Sequence, residues 1–375
     1  MNGTSMITSP SARRAFSLVE LLTVIFIVVL VIAIVLPALG GARDAAKKAT
    51  TSQQLTELLN SVSTFQQDTR RLPGYYSARE MGSNENLNNQ GFTSMENMML
   101  DLLGQDAVAK TKPAKWTVGA NPASGDTIQV GPVTDTNKVY VNLSLLSTDK
   151  KAYYNPPAKQ FVAQYNDGTV IKQFGQAGNT AKEGDNQMLD LVDSFGNPIL
   201  AWVQDDTASL RPVDAVEQFA SDYDQTASNK PVARFWWAQN AGFLKANSTG
   251  KNGVNQRTDS LLGESISVAD RSKTMMALLG NPNTPVQGTA IGATADLLAG
   301  GPKGRVLVQS AGKDGVFLKN EGKQSARGSL TAGGPLVYGL GLKDVAGKPN
   351  LDSEGKPAVI DIIGGFDDLT VAGGN

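Results

Sequence analysis

The strongest constraint in this sequence is one long apolar segment near its N-terminus. The segment from Phe16 to Leu39 reads FSLVELLTVIFIVVLVIAIVLPAL, and Glu20 is its only charged residue. As a helix, these 24 residues would extend about 36 Å, which exceeds the roughly 30 Å hydrocarbon core of a bilayer. The sequence therefore predicts a single membrane-spanning helix followed by a more polar chain.

Composition excludes several classes of function in this chain of 375 residues. The chain has no His and no Cys, which removes Ser-His-Asp and Cys-His nucleophiles, His/Cys zinc sites and disulfides. Its formal net charge of -1 gives no basic field, so we expect no nucleic-acid partner. No phosphate-binding loop is found, and Asp205-Asp206 reads as part of a loop. We expect a protein that is not an enzyme.

Glu20 is the unusual residue of the apolar segment. A carboxylate in a membrane helix is costly unless a cation meets it, it reaches the interface or it takes up a proton. An ordinary signal peptide is the alternative reading, because Ala38-Leu39-Gly40 is a passable cleavage site. The apolar run is, however, longer than the usual 7 to 15 residues of a signal core, and such a core has no use for an acid.

The residues ARRAFSLVELL around Phe16 resemble the processing site of type IV prepilins and of the pseudopilins of type II secretion. The resemblance implies that residues 1–15 are a leader, which prepilin peptidase removes between Ala15 and Phe16. The new Phe16 amine would then be methylated. Ala15 stands where the family usually has Gly. Pro37 matches a proline that commonly interrupts the family's helix.

By the same resemblance, Glu20 pairs with the Phe16 amine of a neighbouring subunit and sets the register between helices. The chain would be a structural subunit of a type II secretion pseudopilus or a type IV pilus-like filament. Its partners would be copies of itself or related subunits, prepilin peptidase, membrane lipid and an inner-membrane assembly platform. It would cross the bacterial inner membrane once, with the leader in the cytoplasm and the head outside it.

Two alternatives remain open at this point. The helix could merely tether an extracytoplasmic binding protein or a carboxylate enzyme. Alternatively, the chain could be a secreted protein that is cut after Gly40. A tether gains nothing from Glu20, and the N-terminus of the mature protein distinguishes a cut after Gly40 from one before Phe16.

The apolar pattern predicts that the helix continues outside the membrane to about Arg71, where Leu72-Pro73-Gly74 ends it. We therefore divide the chain into a membrane and assembly half at 16–41, an amphipathic half at 42–72 and a globular head at 73–375. Apolar residues recur at three- and four-residue steps along the amphipathic half and predict one buried face. They are Ala42, Ala45, Ala46, Ala49, Leu55, Leu58, Leu59, Val62 and Phe65.

The head is expected to be α+β, with an antiparallel sheet and inserted helices. Thr93 and Glu96 form a capping signature that opens a short helix, whereas 105–135 reads mostly as loop. Phe235-Trp236-Trp237 is interpreted as core. Strands are predicted at Val139–Val141, Asn197–Gln204, Arg305–Gln309, Leu336–Leu340 and Val359–Ile363, a hairpin at Phe161–Phe174, and further helices at Val213–Ser221 and Asp270–Leu279.

Two C-terminal stretches also resemble the major pseudopilin. The segment Asp193 to Pro198 matches a turn that leads into a strand, and Ser310 to Val316 with Asp367-Asp368 resembles a calcium loop. The resemblance implies calcium bound by the side chains of Asp314, Asp367 and Asp368. The carbonyl groups of Ala311 and Val316 would complete the ligands, as calcium takes six to eight oxygens. The alternative is a surface Asp-Gly turn with an unrelated acidic pair.

Overall fold

The computed structural model describes residues 17–74, 93–103, 127–130, 139–142, 152–157, 160–166, 171–173, 189–204, 235–282, 299–320, 339–340, 359–360 and 363–374. The chain forms two compact units, Met1–Lys47 and Lys48–Asn375. Its described elements are helices and antiparallel strands, which is compatible with the predicted α+β class. Ala15, Phe16, Asp205-Asp206 and the predicted helix at 213–221 lie outside the described residues.

The helices and strands are as follows. The helices are α1 (Leu18–Thr69), α2 (Ser94–Leu103), α3 (Ala241–Leu244), α4 (Gln256–Asp259) and α5 (Val268–Leu279). The strands are β1 (Thr127–Val130), β2 (Val139–Asn142), β3 (Phe161–Asn166), β4 (Ile171–Gln173), β5 (Leu189–Leu191), β6 (Ile199–Val203), β7 (Gly280–Pro282), β8 (Ala299–Pro302), β9 (Val306–Ser310), β10 (Gly339–Leu340), β11 (Val359–Ile360) and β12 (Leu369–Gly373).

Helix α1 begins inside the apolar segment and ends two residues before the predicted stop. Pro37 lies within it, and Arg70 follows its end with a φ of 61°, a left-handed conformation that turns the chain out of the helix. In the first unit its large apolar side chains are exposed, from 44% at Val35 to 79% at Leu18. The helix is thus long and apolar enough to cross a membrane.

The predicted buried face of α1 is only partly correct. Leu55, Leu58, Leu59, Val62 and Phe65 are buried as expected. The alanines at 42, 45, 46 and 49 are exposed, and burial begins at Thr51. These alanines keep the three- and four-residue spacing of the buried face. Spacing alone, however, does not determine how far along that face other parts of the protein pack.

A three-stranded antiparallel sheet, in the order β12-β9-β6, forms the centre of the second unit. Side chains of a strand alternate between the two faces of a sheet, and both faces here are covered. Ile199, Ala201, Val306 and Val308 pack in one core with α1 and α2. Leu200, Trp202 and Leu307 pack in the other core, with the segment inserted between β6 and β9.

That inserted segment contains the aromatic cluster predicted to be core, and the prediction is confirmed. Phe235, Trp236 and Trp237 are at most 1% exposed. The indole N–H of Trp237 donates to the Leu262 carbonyl over 2.7 Å, and the Arg271 guanidinium lies 4.0 Å from the Trp237 ring centroid. Phe235 and Trp237 therefore help to cover the second face of the central sheet.

Most of the predicted elements are found, with one correction. The hairpin forms as β3 and β4, with Tyr165 opposite Lys172, and β2, β6, β9 and α5 lie where the pattern predicts strands and a helix. β10 pairs with β11 within the two C-terminal strand predictions. The reading of 105–135 as mostly loop is wrong at Thr127–Val130, where β1 pairs with β2. The partner strand β2 lies after residue 135, so the pairing that forms β1 is not visible within the stretch 105–135.

Candidate functional site

The first described residues of α1 form a reciprocal capping box that includes Glu20. The Ser17 backbone N–H donates to Glu20 Oε2 over 2.9 Å, and the Glu20 N–H donates to Ser17 Oγ over 3.1 Å. This arrangement satisfies two amides at a helix start that lack partners within the helix. The Glu20 carboxylate is thus held by its own chain. The spacing S-x-x-E carries this signal in the sequence, although a capping box at Ser17 and Glu20 was not among the predictions.

The surroundings of Glu20 are apolar and open. Leu18, Val19, Leu21 and Leu22 are each more than half exposed. A signal sequence meets the same criteria of length and composition as a membrane anchor, so α1 is compatible with either. The structure does not describe Phe16, so the predicted pairing of its amine with Glu20 stays a prediction.

A second group of polar residues lies in the turn between β5 and β6, where Asp193 is buried. Asp193 Oδ1 accepts the N–H groups of Phe195 at 2.8 Å and Asn197 at 2.9 Å, and Oδ2 accepts the Ser310 hydroxyl at 2.7 Å. Burial raises the pKa of Asp193, although these hydrogen bonds oppose the shift. One carboxyl group therefore fixes both its own turn and the end of β9.

Asn197 connects this turn to the predicted calcium loop. Its side-chain amide donates to the Gly312 carbonyl over 2.8 Å, and both partners are buried. Gly312 and Gly315 have φ values of 67° and 76°, a region that favours glycine. A Cβ on Gly312 would lie 2.3 Å from the Asp367 carbonyl oxygen, so only glycine allows this approach.

Asp367 is bound from two sides. Its Oδ2 accepts the backbone N–H of Lys313 at 2.5 Å and that of Asp314 at 3.2 Å. Its Oδ1 pairs with the ammonium group of Lys48 on α1. Although burial opposes the shift, the Lys48 charge and these amides lower the pKa of Asp367. The carboxylate therefore favours its ionised form.

Asp368 lies in a different environment, because its side chain is buried. Its Oδ1 accepts the Leu318 N–H at 3.0 Å and its Oδ2 accepts the Gln309 side-chain amide at 2.7 Å. Burial raises the pKa of Asp368 to about 7, and the nearby charges of Asp314 and Asp367 add to the shift. Gln309 in turn accepts the Trp202 indole N–H at 3.1 Å. We call residues 311–316 together with Asp367 and Asp368 the acidic loop, and this chain of hydrogen bonds joins the acidic loop to the central sheet.

The structure brings the three acidic residues predicted to bind calcium to one loop region, despite 53 positions between Asp314 and Asp367. Ala311 and Val316 lie buried in the same turn. The donor types suit calcium, but the arrangement does not, because the Asp367 and Asp368 oxygens accept hydrogen bonds or an ion pair from the protein. Within the described ranges, no group of three or more acidic side chains is placed to share a metal ion. Calcium binding stays a prediction.

No protein-family model matches the sequence, and no curated protein or solved structure is significantly similar to it.

Proposed function

We propose that this protein is a structural subunit of a pilus-like filament, either a type II secretion pseudopilus or a type IV pilus-like fibre. The observation that carries the proposal is Glu20, the single charged residue between Phe16 and Leu39, in the part of α1 whose large apolar side chains are exposed. An intramembrane acid is by default a functional residue with a partner. The resemblance around Phe16 supplies that partner as the amine that cleavage creates.

The assembly step then has a physical basis. In a free subunit, the capping box satisfies the Glu20 carboxylate through a neutral backbone amide. An ammonium group on a neighbouring helix would attract the same carboxylate more strongly, because a full positive charge interacts more strongly with an anion than an amide dipole does, most of all in a low-dielectric surrounding. The exchange would fix one axial offset between adjacent helices, while apolar packing supplies most of the contact area.

The second unit supports a helix with two roles, in which the N-terminal part serves assembly and the C-terminal part holds the head. Its part of α1 is buried against α2 and the central sheet, so the head is anchored by contacts of its own. The exposed apolar part of α1 is then left for lipid and for other subunits. We propose that it crosses the inner membrane once, with the head outside the cytoplasm, and that prepilin peptidase and an inner-membrane assembly platform act on it.

N-terminal sequencing of the mature protein tests the processing step. The proposal expects a chain that begins at Phe16 and carries a methyl group on its amine. A chain beginning near Ala42 would instead support a secreted protein, and one that retains Met1 would support a simple membrane tether. Either of these outcomes would overturn the proposal.

Glu20→Gln tests the assembly step, because it keeps the side-chain size and an acceptor oxygen but removes the charge. We expect normal membrane insertion and normal processing, with loss of incorporation into filaments in cells that assemble them. Thr23→Val is the matched control, since Thr23 lies one turn away and its hydroxyl donates only to Val19 of the same helix. Unchanged assembly of Glu20→Gln would contradict the proposed role of the charge.

A further inference from the structure

A lysine on α1 forms an ion pair with the acidic loop. Lys48 reaches from α1 to Asp367, and the side chains are 43% and 21% exposed, respectively. Both residues belong to the second unit. The ion pair joins α1, just before its first buried residue Thr51, to the residues that lead into the C-terminal strand.

The carboxylate oxygens of this loop are already engaged by protein groups. Asp367 uses one oxygen for Lys48 and the other for two backbone amides. Asp368 uses one oxygen for Leu318 and the other for Gln309. Asp314 Oδ1 accepts the Val316 N–H at 3.0 Å. Hence at least five of the six oxygens of these three acids accept hydrogen bonds or an ion pair from the chain itself.

This arrangement opposes a divalent cation in two ways. Calcium requires six to eight oxygens around one point, so binding would break hydrogen bonds that satisfy buried or half-buried groups. The Lys48 ammonium also lies against Asp367 Oδ1, where its charge would repel a second cation. The same ammonium group supplies a positive charge to a loop that carries the side chains of Asp314, Asp367 and Asp368.

We propose that Lys48 is the built-in counter-ion of the acidic loop, so that the loop keeps its conformation without a divalent cation. Isolated surface ion pairs contribute little, partly because both side chains must be ordered. Here the backbone amides of Lys313 and Asp314 already fix the Asp367 carboxylate, and only Lys48 remains to be ordered. This proposal is independent of filament assembly.

Thermal unfolding of the full chain in detergent micelles tests the proposal, in the presence of either EDTA or millimolar calcium chloride. We expect the wild-type Tm to be the same in both buffers within about 1 °C. Lys48→Gln should lower the Tm by roughly 2 to 4 °C in both buffers, and Lys48→Arg should restore most of that loss. Lys251→Gln, which removes one exposed lysine elsewhere in the second unit, should leave the Tm unchanged.

Two results would overturn the proposal. The first is a wild-type Tm that rises with calcium and falls with EDTA, while the same concentration of magnesium has no effect. The second is a Lys48→Gln protein as stable as the wild type. If Lys48→Gln does not fold, calorimetric titration of the wild type with calcium decides, because saturable binding contradicts the proposal and its absence supports it.

Discussion

The hydroxyl of Ser310 donates a hydrogen bond of 2.7 Å to the carboxylate of Asp193, which lies 117 positions earlier in the chain. The same hydroxyl accepts the Gly312 N–H at 3.2 Å. Ser310 is also the register partner of Ile199, the first residue of β6. This pair therefore joins the start of β6 to the turn that follows β9, and it holds the acidic loop beside the central sheet.

Replacing Asp193 by Ala should strongly destabilise the second unit. The change leaves the N–H groups of Phe195 and Asn197 and the Ser310 hydroxyl without their acceptor in a buried site. We expect a loss of about 3 kcal/mol or more in the free energy of unfolding. Denaturant unfolding monitored by tryptophan fluorescence measures it.

Asp193→Asn is the control for that change, since Asn keeps an acceptor oxygen for the two amides. It should cost clearly less than Asp193→Ala. Equal losses for the two variants would mean that shape, rather than hydrogen bonding, accounts for the role of Asp193.

Gly312→Ala should destabilise the loop, because its φ of 67° is strained for alanine and the new Cβ would collide with the Asp367 carbonyl. A left-handed non-glycine residue alone costs about 1 to 3 kcal/mol. Gly364→Ala is the matched control, as a Cβ there meets no atom within 4 Å. Thermal unfolding of both variants gives the comparison, and a Gly312→Ala protein as stable as Gly364→Ala would refute this account.

Stability should decrease as the pH rises from about 5 to about 7, partly because of Glu96. Burial raises the pKa of Glu96 from 4.5 to about 7, although the N–H and hydroxyl groups of Thr93 favour the ionised form. Between those values the folded chain holds a proton that the unfolded chain has lost. The free energy of unfolding therefore falls with rising pH, by at most about 1.4 kcal/mol per pH unit for one group.

Glu96→Gln should flatten this dependence, since glutamine retains the capping geometry without a titratable proton. Tm values measured across the same pH interval test it. Part of the slope should remain, because burial also raises the pKa values of Asp193 and Asp368. A variant with the wild-type slope would exclude Glu96 as a contributor.

Ser17→Ala should loosen the first turn of α1, because it removes the hydroxyl that accepts the Glu20 N–H. Loss of an N-cap serine costs about 1 kcal/mol, or roughly fivefold in the local opening equilibrium. Amide hydrogen exchange at residues 17–20 in micelles should accelerate accordingly. Ser17→Thr keeps a hydroxyl and should behave like the wild type; acceleration in both variants would contradict the capping role.

The sequence was sufficient for elements whose signals are local. Thr93 and Glu96 predicted the start of α2, and the capping bonds form as expected. The dense apolar runs at β6 and β9 predicted buried strands, and both strands are buried on each face, with β9 in the middle of the described sheet and β6 at its edge. Ser17 and Glu20 carry an equally local signal, the S-x-x-E spacing of a capping box, which was not among the predictions.

Fewer contacts of the candidate site could be predicted from the sequence. The resemblance placed Asp314, Asp367 and Asp368 in one loop, and the fold does bring them together. Nothing in the sequence indicated that Lys48, 319 positions before Asp367, would pair with that loop. The sequence also did not indicate that Asp193 would accept a hydrogen bond from the Ser310 hydroxyl.

The sequence by itself determined a long apolar helix with one acid near its start, a capped α2 and strands that must be buried. Each of these follows from interactions between residues a few positions apart, or from the length of one apolar run. The tertiary structure alone decided which charges lie beside which carboxylates, and that burial on α1 begins at Thr51 rather than at Ala42. Those outcomes depend on how β9 pairs with both β6 and β12 across long stretches of chain, and a pairing partner is set by the packing of the whole core rather than by local pattern.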